Sequence, residues 1–412
     1  MRYVKQFFRV LIFFPSITFN LLTAEVFPWA FFYSIFQKKD YKRGLPLLLI
    51  LVTSAVLATA YAFSMGIVSD SFRSLMAYLN PILLFLFLLR CSSEEIESFN
   101  NIVGKILLFY LLLGIFQFFG LISFLEPVFK FLLTRGSTDV FAFGRGVSLL
   151  SSEPSRAAYE LIFVYILWVY LKGNRLKNQF IFDILMFFFL ALIVRSSLGL
   201  FTFFVYLFFK YKMFFILSTI LVLLFALPFI EYSESRAMAM LYDILTFSDS
   251  SDLFSMLTNQ SGFRVISILA SYKYALLYPF GGGVGLWVHS SVSALKATGF
   301  DPSSMYYFQM YGGGDFSSVR PDSFMASAAL DIGLVGVLLV LYMIKPILKL
   351  LKEKKDAVFL VVVVFIFIIF FTGAVGNPIP WLCVALAYRK YKENIDKQEL
   401  KISTDNKLLE KE

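Results

Sequence analysis

Arg264 heads a stretch with helical spacing, Ser261-Gly262-Phe263-Arg264, and after fourteen intervening residues comes the run Pro279-Phe280-Gly281-Gly282-Gly283-Val284-Gly285. A guanidinium is a planar fork suited to phosphate oxygens. Gly281, Gly283 and Gly285 allow positive φ and close backbone approach, as a phosphate or sugar site requires, although a flexible loop is the commoner use of such a run. A second constellation runs from Arg145 through Glu153-Pro154-Ser155 to Arg156. Pro154 suits the first turn of a helix, and Ser151 or Ser152 suits its cap. Glu153 complements the helix dipole there, and is equally a candidate to take a proton from a substrate hydroxyl. The third is Arg320-Pro321-Asp322-Ser323. Asp322 and Ser323 suit N-capping of the apolar stretch that follows, a role compatible with chemistry at the same place. Arg195-Ser196-Ser197 interrupts another apolar stretch, either snorkelling to the interface or facing a cavity. The lone His289 has no partner of catalytic type in the sequence and reads as a loop or packing residue.

The elements that must hold these residues are apolar. Of 412 residues 59% are hydrophobic and 16% charged, with 51 Phe, and mean hydropathy is +0.76. A soluble domain carries about 25% charged residues. Several runs approach the ~20 residues that span hydrocarbon. The composition therefore predicts an all-α polytopic integral membrane protein. A β-barrel would show short alternating segments instead. The net charge of +9 is spread between spans, which fits loops facing anionic lipid and argues against nucleic acid as a partner. Cys91 and Cys383 offer neither a disulfide nor metal-ligand spacing.

Lysines set the orientation. Arg2, Lys5 and Arg9, then Lys38, Lys39, Lys42 and Arg43, then Lys172 and Lys177, Lys210 and Lys212, and Lys345 to Lys355 all fall on one side when the spans are laid out. That is the positive-inside pattern and it puts both termini in the cytoplasm. Met1 to Phe14 resembles a signal peptide without a small-residue cleavage site, and reads as a retained first span. Residues 7–36 and 180–209 are each too long for one span and read as short hairpins, turning near Thr23–Ala24 and at Arg195. Further spans are expected at 45–68 and 72–90, with an outer turn at Ser69–Asp70, and at 102–124, 156–172, 213–230, 324–344, 357–375 and 378–389. A cytoplasmic loop is expected over Cys91 to Asn101, and a turn at Gly376–Asn377. The total is about twelve spans in one domain, 1–389. It includes a large external segment, 231–323, whose Phe263 to Tyr278 has the spacing of a surface amphipathic helix. The polar tail 390–412 reads as disordered. On this layout Arg145, Arg195, Arg264 and Arg320 are external, where the positive-inside pattern does not account for them.

Taken together, the ordered motifs resemble the Wzy-type O-antigen and capsule polymerases and the related O-antigen ligases. The resemblance rests on Arg145 with Glu153-Pro154-Ser155, on Arg195-Ser196, and on Arg264 ahead of the Pro-Phe-Gly-x-Gly-x-Gly stretch. It rests also on the polar pair Asp322-Ser323 and on Gly333-x-x-Gly336. It covers about 140–345 by motif and nearly the whole chain by topology. It implies a GT-C-like membrane fold and a bacterial inner-membrane location. It implies metal-independent, cofactor-free, inverting glycosyl transfer on the periplasmic face, with undecaprenyl-pyrophosphate-linked glycan as substrate. A polysaccharide chain-length regulator is a further candidate partner beside the lipid bilayer. Under this resemblance Arg264 and Arg320 grip the pyrophosphate, Arg145 and Arg195 support them, and the base is Asp322 or Glu153. Ligases often carry His-Asn where this chain has Asp322-Ser323, which favours polymerase. A lipid-linked sugar transporter would show internal pseudo-symmetry and charges within several spans, and this sequence shows neither.

Overall fold

The computed structural model describes residues 2–19, 26–36, 45–65, 68–133, 146–172, 178–211, 263–353 and 374–409. The described fold is all-helical, with one isolated antiparallel bridge, Ile17 to Leu133. Its helices are α1 (Arg2–Leu11), α2 (Trp29–Ile35), α3 (Leu45–Met65), α4 (Val68–Leu88), α5 (Ser93–Phe118) and α6 (Glu126–Leu132). Then come α7 (Pro154–Lys172), α8 (Gln179–Phe188), α9 (Ser197–Tyr211), α10 (Phe263–Leu277) and α11 (Trp287–Thr298). The last are α12 (Tyr306–Gly312), α13 (Phe324–Ile332), α14 (Leu334–Glu353) and α15 (Ile379–Leu409). Two described stretches, Asp70–Leu88 and Ser93–Phe118, are long and apolar enough to cross a membrane. Shorter apolar helices include Gln179–Val194, Ser197–Tyr211 and Leu334–Lys345.

Several boundaries differ from the sequence expectation. Ser69 and Asp70 are not a turn but the first turn of α4. Asp70 pairs there with Arg73 at 3.0 Å and favours the helix N-terminus. The expected loop Cys91 to Asn101 shrinks to a few residues, because Glu94 and Glu95 serve as the acidic first turn of α5. Glu95 then draws Lys5, Arg9 and Tyr33 onto it, which pins α1 and α2 against α5. Residues 390–409, expected to be disordered, continue α15 as one 31-residue helix. The turn at Thr23–Ala24, the span 213–230 and most of the span 357–375 lie outside the described residues.

The hairpin expected at Arg195 is present. Gln179–Phe188 runs into a π-helical turn at Phe189–Val194, and Arg195 then takes a left-handed conformation with φ 51°. Ser196 Oγ accepts from the Gly199 amide at 3.1 Å and starts α9 as an N-cap. The two arms are tied at their far end by Asp183, whose carboxylate receives Lys210, Tyr206 and Tyr211, and also Tyr165 of α7 at 2.6 Å. Gly146 lies so close under the tip that a Cβ would overlap the Val194 carbonyl.

The expected span 324–344 is two helices. Gly333 breaks it with φ 73° and ψ −148°, a region open in practice to glycine alone. The glycine run supplies what the broken end lacks. Gly282 N–H donates to Leu330 O and Gly283 N–H to Asp331 O, each at 2.8 Å, while Leu334 N–H donates to Pro279 O at 2.9 Å. Terminal carbonyls of α13 are thus satisfied by backbone from another segment. On its other side the run meets α4, where a Cβ on Gly285 would overlap the Ser71 backbone. A smaller core of Ile266, Ala270, Tyr274, Ala294, Leu295 and Phe308 joins α10 to α11 and α12.

Candidate functional site

Four helices begin at one cleft. It is lined by Glu153, Ser155, Arg156 and Tyr159 at the start of α7, Leu198 at the start of α9, Arg264 at the start of α10, and Asp322 just ahead of α13. The cleft holds about 260 Å³, counting space open to solvent. Each helix N-terminus carries unsatisfied amides and a partial positive charge, so their convergence favours an anion.

Arg264 is the centre of the charged groups. Its Nη2 meets Glu153 Oε1 at 3.2 Å and its Nε meets Asp322 Oδ2 at 3.0 Å. Glu153 Oε1 also meets Arg156 Nε at 3.5 Å, and Arg156 Nη1 donates to Ser152 Oγ at 3.2 Å. Residues 111 positions apart, Glu153 and Arg264, are brought together because the starts of α7 and α10 share one end of the bundle. Two guanidinium groups and two carboxylates balance at rest. Arg264, Glu153 and Asp322 have side chains 24–35% exposed, so solvent reaches them. Pairs of that exposure contribute roughly 0–1 kcal/mol. A hydrogen bond to a charged partner contributes about 1.5–3 kcal/mol.

Ser323, not Asp322, caps α13, its Oγ accepting from Ala326 N–H at 3.2 Å. Asp322 is left to Arg264. Tyr272 of α10 shares a hydrogen bond with Ser323, and burial pushes its phenol up to about 12, so it stays neutral there.

The other expected site residues do not gather here. Arg320 turns away to Asp331, Nη2 to Oδ2 at 3.7 Å, and Asp331 also receives Tyr78 at 2.8 Å. Arg195 lies over the Phe118 ring at 5.7 Å and donates to Leu192 O. Arg145 lies outside the described residues. Gly281, Gly283 and Gly285 all have positive φ, as expected, but they serve the splice between α4, α13 and α14 rather than the cleft wall. His289 is exposed on α11.

Arg156, which the sequence shows as the second arginine flanking Glu153, does pair with it, whereas Tyr159 one turn on is a cleft residue that the sequence reading does not single out. Its signal is the i, i+3 spacing that puts it on one face of α7 with Arg156. Behind them lies a buried polar group. Glu160 accepts from Ser151 Oγ at 2.5 Å and from Asn377 Nδ2 at 3.3 Å, and Asn377 Nδ2 also reaches Tyr159 Oη at 3.4 Å. In comparisons with known proteins, no protein family, no curated protein and no solved structure matches this chain.

Proposed function

We propose that this chain is a membrane glycosyltransferase of the polymerase type. It joins undecaprenyl-pyrophosphate-linked repeat units into O-antigen or a related surface polysaccharide, on the outer face of the bacterial inner membrane. About twelve spans carry it, with both termini in the cytoplasm. The observation that supports this reading is the cleft where four helix N-termini, Arg264 and Arg156 meet two carboxylates. The sidedness agrees with it. Lysine-rich ends and the tip of the Arg195 hairpin lie at opposite ends of α8 and α9, and the cleft is at the hairpin-tip end.

In this reaction an acceptor hydroxyl attacks the anomeric carbon opposite the lipid diphosphate. The new C–O bond forms as the bond to diphosphate breaks, and the hydroxyl proton passes to a carboxylate. Negative charge builds on the departing diphosphate, where Arg264 and Arg156 stabilise it. Displaced from Arg264, either Glu153 or Asp322 becomes available as the base. Asp322→Asn and Glu153→Gln separate the two. The base variant loses about 100-fold or more in kcat, while loss of the other, a resting partner of Arg264, leaves kcat within about tenfold.

The reading as a whole is tested by the lipopolysaccharide banding of a strain lacking the gene. Core plus a single repeat unit is the expected pattern. Core without any repeat, with polymer retained on the lipid carrier, would make the protein a ligase instead.

A further inference from the structure

The segment that leads into Glu153 contains a strained residue. Leu149 has φ 54°, left-handed for a leucine whose side chain is fully buried. Bulky residues avoid that region, and one persists there only when its surroundings over-determine it. Here the surroundings are three anchors on alternate residues. The Val147 amide donates to Ile193 O, in the π-helical turn of the Arg195 hairpin, at 3.2 Å. Gln117, near the end of α5, grips Leu149 by both backbone groups. Its Nε2 donates to Leu149 O at 3.0 Å and its Oε1 accepts from Leu149 N–H at 2.9 Å. Ser151 Oγ donates to Glu160 Oε2 at 2.5 Å, and Asn377 Nδ2 holds the other Glu160 oxygen at 3.3 Å. Gln117 and Glu160 are buried, and neither lines the cleft. Two residues past the last anchor stands Glu153, paired with Arg156 and Arg264.

We infer that Gln117 and Glu160 are positioning residues, which fix Glu153 in the cleft by bracing the segment 147–151 that leads to it. This rests on the glycosyltransferase reading above. Glu153 comes just before Pro154, the first residue of α7, so its place is set by the turns ahead of the helix as much as by the helix itself. A misplacement of about 1 Å at a reacting site lowers the rate by about 100-fold. A loop that carries such a group therefore needs support from rigid elements. The glutamine amide suits that task, because it offers a donor and an acceptor to one residue's C=O and N–H together. Gln117 and Glu160 act through the backbone that enters α7, and through Glu153.

The test uses full-length protein in lipid nanodiscs. Hydrogen exchange is followed by mass spectrometry, and kcat and KM are measured with undecaprenyl-diphosphate-linked repeat unit. Gln117→Met keeps the length of the side chain and removes both hydrogen bonds. Ser151→Ala removes a different anchor, and carries the test if the first variant does not fold. Each should speed exchange of the 146–153 amides about tenfold, the size of one lost hydrogen bond, and leave α10 and α13 as in wild type. Each should lower kcat about tenfold with KM within about twofold, because Arg264 starts another helix and still grips the substrate. Neither loss should exceed that of Glu153→Gln. In a Glu153→Gln background neither change should cost more than about twofold, since a support matters only while it has something to hold. Unchanged exchange over 146–153, faster exchange throughout the bundle, wild-type kcat, or losses that multiply with Glu153→Gln would overturn the inference. Arg264→Ala is measured beside them. If it keeps wild-type rates, or if wild-type protein makes no polymer, the glycosyltransferase reading fails and the exchange result decides the brace by itself. If Arg264→Ala is inactive while both brace variants fold and turn over normally, only the present inference fails.

Discussion

Arg264 and Arg320 are equals in the sequence, each ahead of a helix and each on the expected outer side, yet their surroundings assign them different work. Arg264 stands in a solvent-reached cleft between two carboxylates. Arg320 faces Asp331, whose side chain is 1% exposed. Removing one partner of a buried pair leaves an uncompensated charge and costs about 3–5 kcal/mol. Arg320→Ala should therefore lower the amount of folded protein in the membrane, measured by fluorescence of a C-terminal fusion, whereas Arg264→Ala should leave it unchanged. Equal protein levels in the two variants would contradict this division. Sequence alone could not separate the two arginines. Asp331 reads there as one polar residue among the small residues of a span, and only the break at Gly333 explains how a carboxylate comes to lie opposite Arg320. Glu153 and Asp322, by contrast, are each legible as a candidate base near a helix start, but that Arg264 brings them together is not.

Among the elements, the helices themselves were the legible part and their interruptions were not. The break at Arg195 was readable because a charge in mid-span is costly. The break at Gly333 was not, because Asp331-Ile-Gly-Leu-Val-Gly also fits an unbroken, closely packed helix. The deciding contact comes from Pro279 to Gly283, some fifty residues upstream, which hydrogen-bonds both sides of the break. The glycine run looked like a phosphate cradle for the same reason. Positive φ and close approach are required in either use, and the sequence does not say which backbone approaches. Gly333→Ala places a Cβ onto the Pro279 carbonyl at a φ that L-residues avoid. Strain of this kind costs about 1–3 kcal/mol before the overlap is counted. The variant should lose several degrees in melting temperature in detergent. A melting curve identical to wild type would mean that the splice is not formed. The tail is the opposite case, its charged composition masking a helix that runs on from the last apolar turn.

At the scale of the molecule, lysine-bearing ends and the arginine cleft occupy opposite ends of the bundle. Lys390 Nζ donates to Tyr170 O and Leu171 O, and Arg389 Nε to Cys91 O, while Tyr159 at the other end of α7 lines the cleft. This separation is what a positive-inside chain with external chemistry requires. Ser93 and Ser293 are both exposed, one at the start of α5 and one on α11. In intact spheroplasts, Ser293→Cys should react with an impermeant maleimide and Ser93→Cys only after lysis. The reverse pattern would invert the orientation. The central claim is that Arg264 at the mouth of four helices carries the departing diphosphate. It is tested most directly by complementing the gene-deletion strain with Arg264→Ala and resolving its lipopolysaccharide on a gel. Core plus one repeat unit is expected, with the variant present at wild-type level; a full ladder of long chains would remove Arg264 from the chemistry.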